Sequence, residues 1–284
     1  MDLIMSDYER KIERAIALLR AIPQDTEIEV CYSGGKDSDV ILQLAKEAKI
    51  PYRAIYKNTT IDPPGTLKHV KELGCEIRMP EMSFLDLVRK KGTPTRRARF
   101  CCEILKEYKI LDRVVIGVRR SESSARAERY KEPEMCRNYG KEQKVIQYYP
   151  ILDWTDSDIE RFIKERGLKC APVYYDSDGN FHVERRLGCI GCPMSSLKQQ
   201  REEFKKYPKL LRNIIKAQQD YLDTHPYVNA KKKFSNAYNI VFHNLFCNSY
   251  SDYQQLMGGG IFGDELKIDT KAFLEDYFGI DLTL

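Results

Sequence analysis

No apolar run in this chain of 284 residues approaches the ~18–20 residues that a membrane-spanning helix needs, so a membrane partner is not expected. The opening Met1-Asp2-Leu3-Ile4-Met5 runs straight into an acidic-basic helical pattern and lacks the marks of a signal peptide, which points to a cytoplasmic protein. Internal repeats and low-complexity linkers are lacking too, so nothing in the composition marks a domain boundary. Charge of one sign is scarce: 47 basic against 42 acidic residues gives +5. That surplus suits a polyanion, but a nucleotide pocket alone accounts for it. Hydrophobic residues at 42% and charged residues at 31% exclude a disordered chain. His182, His225 and His243 are scattered and suggest no metal triad.

Cysteine, by contrast, is plentiful. Nine residues, an odd number, argue against a fully paired disulfide framework, and in a reducing compartment clustered thiols point to metal binding or catalysis. Cys31, Cys75, Cys136, Cys170 and Cys247 are isolated and read as ordinary buried or surface thiols. Cys101-Cys102 and Cys189-Ile190-Gly191-Cys192 form two pairs with 86 residues between Cys102 and Cys189. The second pair sits in a tight turn between Gly188 and Pro193. Adjacent side chains on a helix diverge by about 100°, so Cys101 and Cys102 serve a single Zn²⁺ poorly, whereas a larger cluster accepts both. Four thiolates fit a 4Fe-4S centre; a structural Zn site and unliganded thiols are the alternatives.

Apolar spacing predicts an amphipathic helix over 6–22, with Ile12, Ala15, Ile16, Leu18 and Leu19 on one face. Glu27–Tyr32 reads as a strand leading into a Gly-Gly loop, and Ser38–Ala48 as a helix. Strands are predicted at Tyr52–Tyr56, Glu76–Met79, Arg113–Val118 and Val145–Tyr149, the fourth of the five (RVVIGV) continuous as in a sheet buried on both faces. Helices are predicted at Pro63–Leu73, Phe84–Lys90, Arg99–Tyr108 and Thr155–Glu165, the last capped by Thr155 with Asp158 three residues on. Alternating strands and helices indicate βαβ units. The expected fold class is α/β: a parallel-sheet nucleotide-binding domain over 1–193 with a C-terminal helical appendage over 194–284. In that appendage Lys206, Lys209, Lys216 and Lys231–Lys233 alternate with Tyr207, Tyr221, Tyr227, Phe234 and Tyr238. Such a mixture can hold a nucleic acid, but interspersed Glu and Asp make a solvated face the simpler reading. Gly258-Gly259-Gly260 reads as a turn.

The chemistry concentrates at Ser33-Gly34-Gly35-Lys36-Asp37-Ser38. A strand, a Gly-Gly turn and a helix start make an anion site: successive N–H groups point inward and the helix dipole adds positive potential. Ser33 and Ser38 donate hydroxyls and Lys36 a point charge, without the kinase-type Gly-x-x-x-x-Gly-Lys-Ser/Thr pattern. A second basic stretch, Gly117-Val118-Arg119-Arg120-Ser121-Glu122-Ser123-Ser124-Ala125-Arg126, leaves the carboxyl end of a parallel strand, where open α/β sheets bind ligands. Guanidinium forks match tetrahedral oxyanions.

The 33–38 segment resembles the PP-loop of ATP pyrophosphatases, which cleave ATP between the α and β phosphates. The arginine stretch resembles a motif of the ATP sulfurylase small subunit and of phosphoadenosine phosphosulfate (PAPS) reductases, though Ser121 stands where those relatives often carry Asp. Pro150-Ile151-Leu152-Asp153-Trp154-Thr155 is similar to the family's Pro-x-x-Asp-Trp-Thr. The paired cysteines resemble those of iron-sulfur adenosine phosphosulfate (APS) reductases. Together the resemblances cover roughly residues 27–193. They imply ATP, or APS or PAPS, as nucleotide; Ser33 to Ser38, Gly117, Arg119 and Arg126 as its binding residues; and Lys36, Asp37, Arg119 and Arg120 as catalytic residues. They further imply Mg²⁺ at Asp37 and a 4Fe-4S cluster on Cys101, Cys102, Cys189 and Cys192. Sulfonucleotide reductases usually carry Ser-Phe-Gly in the loop and end in Glu-Cys-Gly-Leu-His. This chain has the intact loop and ends with Glu275-Asp276-Tyr277-Phe278-Gly279-Ile280-Asp281 in its tail. The resemblance therefore implies adenylylation coupled to sulfur transfer, as in the DNA phosphorothioation sulfurtransferase, with a sulfur or electron donor protein as partner. APS or PAPS reduction and a non-catalytic nucleotide-sensing or nucleic-acid-binding module are the alternatives.

Overall fold

Apolar strands that alternate with amphipathic helices condense into one six-stranded sheet in the computed structural model, which describes residues 5–139, 143–258 and 268–283. The strands are β1 (Ile28–Tyr32), β2 (Arg53–Lys57), β3 (Glu76–Arg78), β4 (Arg113–Val115), β5 (Glu134–Tyr139) and β6 (Gln143–Tyr148), in the order β3-β2-β1-β4-β6-β5. All neighbours are parallel except β5 and β6. Val30 pairs with Ala54 on one side of β1, and Glu29 with Val114 on the other. The order runs outward in both directions from β1 and β4, so the carboxyl ends of these two strands form the topological switch point where such sheets bind ligands.

The helices are α1 (Asp7–Ala21), α2 (Lys36–Ala48), α3 (Thr66–Glu72), α4 (Phe84–Lys91), α5 (Phe100–Leu105), α6 (Ser124–Arg129), α7 (Asp156–Glu165), α8 (Leu197–Lys206), α9 (Pro208–Thr224), α10 (Asn229–Lys233), α11 (Ala237–Phe246), α12 (Tyr250–Leu256) and α13 (Thr270–Phe278). Among the described residues none is long and apolar enough to cross a membrane.

The chain divides into two compact units, Met1–Asn58 with Asp62–Pro80 and Lys106–Gly188, and Thr59–Ile61 with Glu81–Leu105 and Cys189–Leu284. The first holds the sheet, and α1, α2 and α7 pack with it: Leu19, Ile41, Leu44, Trp154 and Phe162 are fully buried in its core. The second is helical. Its core joins Phe84, Leu87 and Val88 of α4 to Ile214, Ile215 and Ala217 of α9. A boundary at residue 193 places 59–61 and 81–105 with the sheet; the structure puts both in the helical unit. The apolar face of α4 finds its partner in α9, far along the chain, and sequence periodicity records that a face is apolar without recording what covers it.

Several elements differ from their sequence expectation. Residues 134–139 look like polar loop yet form β5, an antiparallel edge strand whose side chains from 134 to 138 are exposed and half-buried in alternation, which needs no apolar run. The β4 strand ends at Val115, because beyond it Gly117 passes so close to the backbone of Asp37 that an added Cβ would lie 3.1 Å from its carbonyl. The helix expected from Pro63 starts at Thr66, after Gly65 in a left-handed conformation at φ 89°. Thr155 caps α7, with Asp158 reciprocating. The turn expected at Gly258–Gly260 lies, at residues 259 and 260, outside the described residues.

Candidate functional site

The 33–38 loop leaves the carboxyl end of β1 and enters α2 at Lys36, with Gly35 as N-cap. Gly34 takes φ +78°, and a Cβ there would lie 2.8 Å from the Thr66 methyl of α3. A Cβ on Gly35 would lie 3.1 Å from the Tyr174 hydroxyl. Glycine is thus required at Gly34 by conformation and by space. Ser38 Oγ donates to the Gly35 carbonyl at 2.6 Å, and Ser33 Oγ donates to Ser38 Oγ at 3.2 Å, which ties the loop to itself.

Lys36 is 4% exposed. Its Nζ lies 5.4 Å from the centre of the Tyr174 ring and reaches Asp37 Oδ2 and the Arg185 carbonyl, each at 3.4 Å. The ammonium is thus paired with one carboxylate and one carbonyl, both at long distance, so neither bond holds it tightly at the mouth of the loop. The Tyr174 hydroxyl accepts from the backbone N–H groups of Lys36 and Leu187; burial pushes its phenol well above the ordinary range. Under the loop, Asp39 of α2 accepts from Tyr32 at 2.5 Å and meets His69 Nε2 at 3.0 Å. Burial raises the Asp39 carboxyl, against the bonds from His69 and Tyr32.

The arginines are engaged within the protein. Arg119 is 2% exposed; it donates to Asp37 Oδ1 at 2.6 Å, to Asp156 Oδ1 at 2.7 Å and to Ser121 Oγ at 3.1 Å. Burial opposes its charge, and Asp37 and Asp156 outweigh that and hold the guanidinium above its usual pKa. Arg120 pairs with Asp153 and donates to the carbonyls of Tyr130 and Lys131. Arg126 and Arg186 share Glu122. The structure gives Arg119 and Arg120 protein carboxylates and carbonyls to hold. Asp37 meets a protein cation at each oxygen, Arg119 at Oδ1 and Lys36 at Oδ2.

The four paired cysteines all fall in the helical unit. Cys101 and Cys102 lie on α5, and Cys189–Cys192 forms a turn closed by the Cys192 N–H to the Cys189 carbonyl at 3.2 Å. The Ile190 N–H donates to the Ile61 carbonyl at 2.9 Å and anchors this turn to the 59–61 segment. A hydrogen bond with Cys102, then burial, then the fields of Cys102, Cys189 and Cys192 push the Cys101 thiol far up. Cys101 thus feels the other three thiols, although among the described residues no group of three or more His, Cys, Asp or Glu side chains is placed to hold a metal ion. Gly191, at φ +68°, faces Phe204 so closely that a Cβ would lie 2.3 Å from the ring, and its N–H donates to Glu203 Oε2 at 2.7 Å. Gly191→Ala is therefore expected to destabilise the chain by about 2–3 kcal/mol, read as a lowered urea midpoint with an unchanged slope.

In the helical unit Lys231–Lys233 lies on α10 near the 91%-exposed Tyr227, with Lys231 paired to Asp223 and Lys233 over the Tyr250 ring. Sequence reasoning missed Tyr174, Asp156, Thr66 and His69. Tyr174 and Thr66 meet the loop glycines, His69 meets Asp39 of α2, and Asp156 bonds Arg119, each brought there by the fold.

The profile of the phosphoadenosine phosphosulfate reductase domain matches residues 27–195, more than half of the chain. An uncharacterized protein of Methanocaldococcus jannaschii is 30% identical over 201 residues, 66% of this chain and 46% of its own length. The chain thus spans less than half of that relative. Sulfate adenylyltransferase subunit 2 of Shewanella pealeana is 24% identical over 206 residues, 60% of this chain and 68% of its own. Among solved structures, the phosphate complex of phosphoadenylyl-sulfate reductase from Candida auris aligns with a TM-score of 0.43 at 16% identity, covering 64% of this chain and 98% of the other.

Proposed function

We propose that this chain, which belongs to the phosphoadenosine phosphosulfate reductase domain family, binds ATP on the 33–38 loop, cleaves it between the α and β phosphates and passes the adenylyl group to an acceptor. One observation carries this reading: Lys36 sits buried, with only two long bonds, at the start of α2, beside a Gly-Gly turn at the switch point of the sheet. A buried cation held by long bonds beside a Gly-Gly turn and a helix N-terminus suits a polyphosphate. A nucleophilic atom of the acceptor forms a bond to the α-phosphorus as the α–β bridging bond breaks and pyrophosphate leaves with the electron pair. Lys36 and the α2 N-terminus stabilise the charge that grows on the leaving oxygens. Ser33, Gly34, Gly35 and Ser38 shape the loop. Arg119 acts through Asp37, which it fixes beside Lys36, and Gly117 lets that strand end approach. Arg120 and Arg126 hold the 120–131 segment in place. Mg²⁺ then arrives with the nucleotide's phosphates, and no step is assigned to it. The relatives named as sulfate adenylyltransferase subunits support ATP over APS or PAPS, and they suggest a second subunit as partner.

Cys101, Cys102, Cys189 and Cys192 are the residues that would hold a 4Fe-4S cluster: four thiols of one unit, within electrostatic reach of one another, are the donor set such a cluster needs. Bound there, the cluster would supply sulfur or electron exchange, in keeping with sulfur transfer to the acceptor and with a sulfur or electron donor protein.

Incubated with ATP and Mg²⁺, with water taking the acceptor's place at the α-phosphorus, the protein is expected to release AMP and pyrophosphate, resolved by anion-exchange chromatography. ADP and phosphate as products would overturn the reading. Sulfite formed from APS or PAPS, with those nucleotides bound more tightly than ATP, would install a reductase in its place.

A further inference from the structure

A cavity of about 330 Å³ opens within the helical unit. One wall is the end of the Cys-x-x-Cys turn, at Gly191 and Pro193; the apolar walls include Phe84, Phe204 and Ile214. That size lies at the small end of the range that ligand pockets occupy. Polar groups interrupt the apolar lining, among them Arg96, Asn244 and Cys247, and Arg96 is the one that carries a charge.

Arg96, exposed at the rim, is oriented by two hydrogen bonds without a carboxylate partner among the described residues. Its Nε donates to the Pro193 carbonyl at 3.0 Å and its Nη2 to the Ser195 carbonyl at 2.9 Å. Both acceptors are neutral, and among the described residues no carboxylate pairs with it. A guanidinium fixed in orientation by backbone carbonyls, with its charge left over at the edge of an apolar cavity, is a ready partner for one anion. Asn244 is fixed as well. Its Nδ2 donates to Thr93 Oγ1 at 3.2 Å, and Thr93 in turn donates to the buried Gln218 from N at 2.6 Å and from Oγ1 at 2.8 Å. Pre-set polar groups around an otherwise apolar hole orient a ligand with one charged end.

We propose that this cavity binds a small monoanion with an apolar body, its carboxylate or sulfonate on Arg96 and its body against Phe84, Phe204 and Ile214, beside the Cys247 thiol. The cavity is built by residues of the helical unit alone and the phosphate loop by the other unit: the cavity's ligand binds whether or not ATP is the nucleotide, so the two readings fail separately. Its place against the 189–193 turn sets the ligand next to the paired cysteines.

Calorimetry on the full chain with octanoate, 1-octanol and inorganic phosphate tests the assignment. Octanoate is expected to bind, with octanol and phosphate each about tenfold weaker or more, since one lacks the charge-assisted bond and the other the apolar body. Arg96→Gln lowers octanoate to the affinity of octanol. Should that variant fail to fold, the unaltered protein gives a second reading: saturating octanoate slows iodoacetamide alkylation of Cys247 severalfold, followed by peptide mass spectrometry. Octanol binding as well as octanoate would reduce the cavity to an apolar hole, and phosphate binding as well would reduce it to a bare anion site. Either result overturns the proposal, as does an unchanged alkylation rate or no octanoate binding.

Discussion

Lys36→Ala is expected to slow pyrophosphate release from ATP about a hundredfold, the loss typical of removing one preorganised group that meets developing charge. The ammonium is already buried and stands at the loop with bonds of only 3.4 Å, so little protein structure depends on it and much of its field is directed at whatever enters. The effect should fall on kcat/KM with a smaller change in ATP affinity, because a point charge is felt most where charge grows. Arg119→Ala makes the contrast. Its buried guanidinium bonds Asp37 and Asp156, and its loss opens a hole and leaves Asp37 with only its 3.4 Å contact to Lys36. Breaking a fully buried pair from one side costs about 3–5 kcal/mol; both carboxylates here reach solvent, so the loss is smaller, but urea unfolding should still register Arg119→Ala more than Lys36→Ala. If Arg119→Ala leaves the urea midpoint in place and abolishes turnover, then Arg119 meets substrate directly and its assignment as a positioning residue falls.

Anaerobically purified protein is expected to be brown, with about four irons and four sulfides per chain, and Cys101→Ser or Cys192→Ser is expected to remove nearly all of that iron. The thiols of both pairs act on Cys101, so the loss of either end breaks the same donor set. Cys31→Ser should leave the iron unchanged, since its thiol lies in the other unit beside Glu29 at 3.6 Å. Colourless protein with one zinc per chain would replace the cluster with a structural ion. Protein free of both metals would leave the four thiols as packing.

The strands that build the parallel part of the sheet could be read from residues close together in the chain. Val30, Val114 and Val145 sit in short apolar runs bounded by turn residues, and such runs pair in only a few ways. The capping box of α7 was equally plain, because Thr155 and Asp158 satisfy each other within one turn. The edge strand β5 was not, since one side of it faces solvent and its pattern resembles that of a loop.

By itself, the sequence determined the switch from β1 through Ser33–Ser38 into α2 and the two cysteine pairs, because in each the chemistry depends on neighbours a few residues apart. Only the tertiary structure decided that Tyr174 accepts from the Lys36 backbone, that Arg119 and Arg120 grip carboxylates of the protein, and that residues 81–105 join the helical unit with Cys189–Cys192. The physical reason is that a side chain's type and spacing specify what it is able to bond, while its partner is chosen by which distant segments packing brings within about 3 Å.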